Sequence, residues 1–235
     1  MYDTKVRIRA VVFDMDGLML DTEPLYRAAW KRACAEFGHT LSDAAYTRLI
    51  GRVRADAEQL LSEEFGPDFH LNAFRTASRR HEQATLEAGP VTKKPGLDDL
   101  IAFLESRRVL KAVATSTEHK IARNLLHRTD LLGRFDAVVG GDEVANGKPS
   151  PDLFRLAASR LGVSDTQCLV LEDSAAGVTA ANSAGMHVFL VPDIDSIPPA
   201  VESLADGSFE SLSNVTQYLK SKMSGPIDNR GRLSL

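Results

Sequence analysis

Short apolar runs bounded by turn residues recur along the chain: Ala10–Phe13, Lys111–Ala114, Asp136–Val139, Cys168–Leu171 and His187–Val191. Each is about strand length and rich in Val, Leu or Phe, and stretches of helical periodicity separate them. Gly96–Arg107 carries Leu97, Leu100, Ile101 and Leu104 at one-face spacing, and Lys120–Arg128 carries Ile121, Leu125 and Leu126. The segment from Ser150 has a helix start: Ser150 to cap, Pro151 in the first turn, and Asp152 at the positive end of the dipole. Gly162 should end that helix. Strands alternating with helices predict an α/β fold, a Rossmann-like parallel sheet wound on both faces.

One segment breaks the alternation. From about Thr22 to Pro90 the pattern is helical throughout, over Pro24–Phe37, Ser42–Ile50, Ala55–Phe65 and Asn72–Ala88, with Gly38-His39, Gly66-Pro67 and Gly89-Pro90 as punctuation. The simplest organisation is a catalytic core of residues 1–20 and 91–223, an all-helical cap of residues 21–90 inserted after the first strand, and a flexible tail over 224–235. Hinges near Met19–Asp21 and Pro90–Pro95 would let the cap open and close. Trp30, Phe37, Leu60, Leu61, Phe65 and Phe74 read as the core of the helical bundle.

Composition narrows the function. Apolar residues make up 43% and charged residues 26% of 235 residues, ordinary for a globular protein able to bury a core without disulfides or structural metals. A net charge of −4 provides no basic field, so no nucleic-acid partner is expected. Cys34 and Cys168 lie far apart in apolar stretches and read as buried, reduced thiols. Charges interrupt the N-terminal apolar stretch, which therefore does not resemble a signal peptide, and no segment approaches the roughly 18 apolar residues of a membrane span. A cytoplasmic monomer with no membrane partner is expected.

The chemistry sits at the ends of the apolar runs. Ala10–Phe13 leads into Asp14-Met15-Asp16-Gly17, Lys111–Ala114 into Thr115-Ser116, Asp136–Val139 through Gly140-Gly141-Asp142 to Gly147-Lys148-Pro149, and Cys168–Leu171 into Glu172-Asp173-Ser174. In a parallel sheet these places share the carboxyl edge, where open α/β sheets bind ligands. Each motif alone has a bland explanation: an Asx-turn, a helix cap, a surface turn, or acids favouring a helix N-terminus. Gly147-Lys148 also fails as a phosphate-binding P-loop, since Asp142 replaces its first glycine and Pro149 its Ser/Thr. Their joint occurrence after successive strands points to one site. Two like charges about 4 Å apart repel by roughly 4 kcal/mol at an effective dielectric of 20, so four clustered carboxylates call for a hard divalent cation, with Mg²⁺ the natural choice beside a phosphate. Asp14 is then the nucleophile on phosphorus and Asp16 the acid/base at the leaving oxygen. Gly17 turns the chain, and the Thr115 hydroxyl and Ser116 amide hold phosphate oxygens. Lys148 offsets charge on Asp14 and the phosphate, and Glu172 and Asp173 complete the metal site.

The sequence resembles the haloacid-dehalogenase superfamily, in particular phosphatases and phosphomutases with a helical cap of the beta-phosphoglucomutase type. The matching residues are Asp14-Met15-Asp16-Gly17-Leu18-Met19-Leu20-Asp21-Thr22-Glu23, Thr115-Ser116, Gly147-Lys148-Pro149-Ser150-Pro151-Asp152 and Glu172-Asp173-Ser174-Ala175-Ala176-Gly177. The resemblance implies a nucleophile at Asp14, an acid/base at Asp16, and metal ligation by Asp14, the backbone carbonyl of Asp16 and the pair Glu172-Asp173. It also implies that Arg54, between two cap helices, contacts a distal group of the substrate. The expected activity is Mg²⁺-dependent hydrolysis of a small phosphorylated metabolite, a sugar phosphate by family analogy. The rivals are a sugar phosphomutase on the same machinery and a catalytically idle binding protein. An idle binder has no need of an acid/base at Asp16. Beta-phosphoglucomutases carry a histidine where this chain has Tyr26, and tyrosine is a poor proton relay at neutral pH. Dehalogenases usually lack the second aspartate.

Overall fold

The computed structural model describes residues 7–49, 54–194, 197–222 and 233–234. Its strands are β1 (Arg7–Ile8), β2 (Ala10–Phe13), β3 (Leu110–Ala114), β4 (Ala137–Val139), β5 (Cys168–Glu172), β6 (His187–Leu190), β7 (Gly207–Ser208) and β8 (Leu233–Ser234). Its α-helices are α1 (Glu23–Glu36), α2 (Asp43–Thr47), α3 (Arg54–Phe65), α4 (Leu71–Ala88), α5 (Leu97–Ser106), α6 (His119–Arg128), α7 (Asp152–Leu161), α8 (Ala175–Ala184), α9 (Pro199–Glu202) and α10 (Leu212–Lys222). The chain separates into two compact units, Met1–Asp21 with Lys93–Leu235, and Thr22–Thr92.

The first unit is built on a parallel sheet in the order β4-β3-β2-β5-β6-β7. β2 is central because its four residues are fully buried, as a strand covered on both faces requires. Period-two alternation divides the sheet residues between two layers. Ala10, Val12, Ala112, Val170 and Val188 pack with Leu153, Phe154 and Ala157 of α7 and Val178 and Ala181 of α8. On the other side Phe13 meets Phe135 edge-on at 5.5 Å, and Phe189 meets Tyr218 of α10 at 5.5 Å. α7 ends at Gly162 and α8 at Gly185, both in the left-handed region.

All five apolar runs are strands of this sheet. β7 is a sixth that the hydrophobic pattern did not predict, because two residues carry no alternation. β8 pairs antiparallel with β1, in a stretch expected to be a loose tail; residues 223–232 and 235 lie outside the described residues. The start of α7 also departs from expectation. The helix begins at Asp152 with Pro151 at the capping position and no side-chain cap, while Ser150 is held in a turn with its N–H on Gly147 O at 2.9 Å.

The second unit is helical among its described residues, α1 through α4. Ser42 caps α2 by accepting from the Ala45 N–H at 3.1 Å. Its core gathers Trp30, Leu61 and Phe74 with Cys34, Tyr46 and Phe69, and Phe37, Leu60 and Phe65 pack partly buried against them. Trp30 meets Phe74 edge-on at 5.4 Å and Tyr46 at 6.2 Å, and its indole N–H donates to Glu82 at 2.6 Å. Such aromatic packing carries both buried area and ring electrostatics. Arg80 spends its charge on Glu36 at 2.5 Å, on an exposed helix face. No described helix is long and apolar enough to cross a membrane.

Trp30 is the one tryptophan of the chain, so its fluorescence reports on this unit. Phe74→Ala leaves a cavity beside it and should cost about 3–5 kcal/mol, seen as a lower denaturant midpoint of the Trp30 signal. An unchanged midpoint would show that Phe74 is not at the centre of this core.

Candidate active site

The carboxyl edge of the sheet brings together Asp14, Asp16, Thr115, Lys148, Glu172 and Asp173. Asp14 leaves central β2 with its N–H bonded to Leu171 O at 3.0 Å, and Thr115 leaves β3 with its N–H on Val139 O at 3.1 Å. Glu172 closes β5 and is fully buried, with Asp173 directly after it. Lys148 arrives on the long connection after β4, across a cis peptide to Pro149.

Lys148 is the hub. Its ammonium donates to Asp14 Oδ1 and, at 2.5 Å, to Glu172 Oε1, and it lies 4.9 Å from the centre of the Phe154 ring. The second oxygen of Glu172 accepts from the N–H and hydroxyl of Ser174 at 2.8 and 2.9 Å. The Ser174 hydroxyl in turn accepts from Gly177 N–H at 3.1 Å, capping α8. One short stretch therefore starts a helix and orients an acid.

Two glycines make room for these groups. Gly17 has φ +85°, and a Cβ there would lie 2.1 Å from Asp173 Oδ2. Gly177 lies inside α8, where a Cβ would fall 1.7 Å from Glu172 Oε1. The first must be glycine for its conformation as well as for space; the second for space alone.

The electrostatics show a shortage of positive charge. Burial pushes Asp14 up to about 8; Lys148 opposes this, and Glu172 and Asp16 add to it. Asp173 is likewise raised well above the carboxylate range by burial, then by Asp14 and Glu172. Burial works to lower Lys148, yet the neighbouring Asp14 and Glu172 outweigh it and hold the ammonium above its ordinary value. One oxygen each of Asp14, Glu172 and Asp173 lie within 4.8 Å of one another. Three hard oxygen donors gathered beside a single ammonium fit a divalent cation such as Mg²⁺, whose charge would favour the ionised forms of Asp14 and Asp173.

Asp16 stands differently. Its Oδ2 accepts hydroxyl protons from Thr115 at 2.9 Å and Thr117 at 2.8 Å. Thr115 therefore has a partner that the sequence reading did not foresee. Ser116 is exposed on the same loop. Arg54 opens α3, but its side chain lies outside the described residues.

Sequence reasoning passed over Thr117, Gly177 and the pair Lys94–Asp193. Asp193 Oδ2 would lie 3.4 Å from a Gly17 Cβ, and its other oxygen takes the Lys94 ammonium at 2.5 Å. That pair pins the chain where Lys94 N–H bonds Met19 O at 2.8 Å and Leu20 bridges Lys93. Gly177 was within a quoted motif. Thr117 and Asp193 had only their position just past a strand as a signal.

A family model described as haloacid dehalogenase-like hydrolase matches residues 8–185, which include every one of these groups except Asp193. The chain belongs to that family. It is 37% identical over 201 residues to the phosphorylated carbohydrates phosphatase of Thermotoga maritima, covering 85% of this chain and 88% of that one. It is also 37% identical over 180 residues to a fructose-1-phosphate phosphatase of Escherichia coli, covering 77% and 94%. Among solved structures it resembles a candidate beta-phosphoglucomutase of Thermotoga maritima, with a TM-score of 0.74, 31% identity, and 91% and 99% of the two chains covered.

Gly177→Ala should displace the Glu172 carboxyl and with it Lys148, lowering phosphatase turnover by about 100-fold, the scale of a misplacement near 1 Å. Circular dichroism should remain that of the folded protein. Full turnover in this variant would mean that Glu172 does not need its place against α8.

Proposed function

We propose that the protein hydrolyses a small phosphorylated carbohydrate in two steps through a phospho-aspartate on Asp14. The carrying observation is the convergence of Asp14, Glu172 and Asp173 oxygens within 4.8 Å while Lys148 holds Asp14. Asp14, the Asp16 carbonyl, Glu172 and Asp173 would hold the Mg²⁺. When bound, Mg²⁺ supplies charge neutralisation between an anionic nucleophile and a phosphate dianion. Phosphoryl transfer asks mainly for such positioning and electrostatic stabilisation.

An Asp14 carboxylate oxygen attacks phosphorus, and the bond from phosphorus to the substrate oxygen breaks. Asp16 gives its proton to that oxygen, so the carbohydrate departs as an alcohol. Asp16, now ionised, takes a proton from water as the water attacks the phosphorus of phospho-Asp14. Inorganic phosphate leaves and Asp14 is restored. Lys148 keeps Asp14 oriented and offsets charge on the phosphoryl oxygens, helped by Thr115 and the Ser116 N–H.

The named relatives support a carbohydrate phosphate as the substrate class. Tyr26, where the resemblance to the mutases would require histidine, supports release of phosphate over its transfer to a second hydroxyl. Arg54 is proposed to contact a distal acidic group of the substrate.

Phosphate release from fructose 1-phosphate and related sugar phosphates, with and without EDTA, tests this reading. Chelation should abolish release, Mg²⁺ should restore it, and Asp14→Asn should lose several orders of magnitude in turnover. Full activity under chelation, or substantial activity in Asp14→Asn, would overturn the mechanism.

A further inference from the structure

We infer that Thr117 is a positioning residue that fixes which oxygen of Asp16 carries the transferable proton. The inference rests on the reading of Asp16 as acid/base and assigns a role to a residue outside the recognised motifs.

A carboxyl oxygen has two lone-pair sites. Both on Asp16 Oδ2 are taken, by the hydroxyls of Thr115 at 2.9 Å and Thr117 at 2.8 Å. A proton placed on Oδ2 would displace one of those donors. Oδ1 is buried and has no hydrogen-bond partner among the described residues. The proton of the acid form therefore belongs on Oδ1, and the two threonines set the carboxyl plane that presents it.

The two hydroxyls are not equivalent. Thr115 Oγ1 donates its single proton to Asp16 and accepts from Thr117 N–H at 3.1 Å. It cannot give the same proton to a phosphate oxygen. When Thr115 turns to phosphate, Thr117 alone retains Oδ2. Thr117 is suited to that task because it is 9% exposed and β-branched, so water competes little and its χ1 is restricted. Its loop is also tied down, with Thr117 O accepting from Gly141 N–H at 3.0 Å. Ser116 O and His119 N lie so close to Gly141 and Gly140 that a Cβ at either would approach within 2.3 Å.

The experiment compares Thr117→Val, which keeps the shape but removes the donor, with Thr117→Ser, which keeps the donor. Each is assayed on p-nitrophenyl phosphate, whose leaving group needs no proton, and on an alkyl phosphate, whose leaving group does. Thr117→Val should lower turnover on the alkyl ester by up to about 100-fold, with a much smaller loss on the aryl ester and little change in KM. Thr117→Ser should restore the wild-type ratio between the two substrates. Thr117→Ala serves the same comparison if the valine variant does not fold. Equal losses on both esters, or none on either, would overturn the inference. Asp16→Asn is run in parallel. If it shows the leaving-group dependence and Thr117→Val does not, only the role of Thr117 fails; if Asp16→Asn shows none, the acid/base reading fails and takes this inference with it.

Discussion

Lys148 lies between Asp14 and Glu172 with its side chain 5% exposed, against 8% and 0% for the two acids. Taking such groups out of water costs several kcal/mol per ion, and only close hydrogen-bonded geometry offsets it. Much of the local architecture serves that geometry. Ser174 occupies the free oxygen of Glu172, Gly177 leaves space for its carboxyl, and the Phe154 ring lies under the ammonium. With Asp173 included, one ammonium still faces three carboxylates. Burial first, then Glu172 and Asp16, push Asp14 up to about 8 against the pull of Lys148. The imbalance gives a physical reason for a divalent cation that does not depend on the family resemblance.

The sheet topology is what allows a charge cluster of this kind. Asp14 leaves the central strand, and β3 and β5 flank that strand on either side. Thr115 and Glu172 are thus delivered to its two sides by hydrogen-bonded register, Phe13 pairing with Val113 and with Leu171. A rigid parallel sheet holds these groups more closely than loops alone would. Lys148 is the exception. It rides on a loop whose start is fastened through Glu143, which accepts from Arg160 at 2.6 Å and from Gly140 N–H at 2.8 Å. Those contacts, Arg160 first, hold Glu143 down at about 2.

The central sheet was readable because its strands are fully buried and appear as unbroken apolar runs. The charged groups were readable because they follow those runs directly. What was missed lacked a periodic or charged signature. Gly207–Ser208 joins the sheet through backbone hydrogen bonds, which any sequence can supply. Thr117 is an ordinary hydroxyl whose importance comes from a neighbour 101 positions away. Ser150 had the composition of a helix cap, but its hydroxyl is bonded to the Asp152 carboxylate and Pro151 takes the capping position. The Thr115 hydroxyl, expected at a phosphate oxygen, is bonded to Asp16, a partner 99 positions away that no local pattern announces.

The central claim is covalent, and it can be measured as such. Asp16→Asn leaves the nucleophile intact while removing the base that helps water cleave the acyl phosphate. This variant should be mixed with an activated aryl phosphate and Mg²⁺, quenched in acid over milliseconds to seconds, digested and mapped by mass spectrometry. A phosphoryl group on the peptide containing Asp14, released by hydroxylamine, is the expected result. Phosphoryl transfer to a different residue, or turnover with an unmodified Asp14 peptide at every time point, would contradict it.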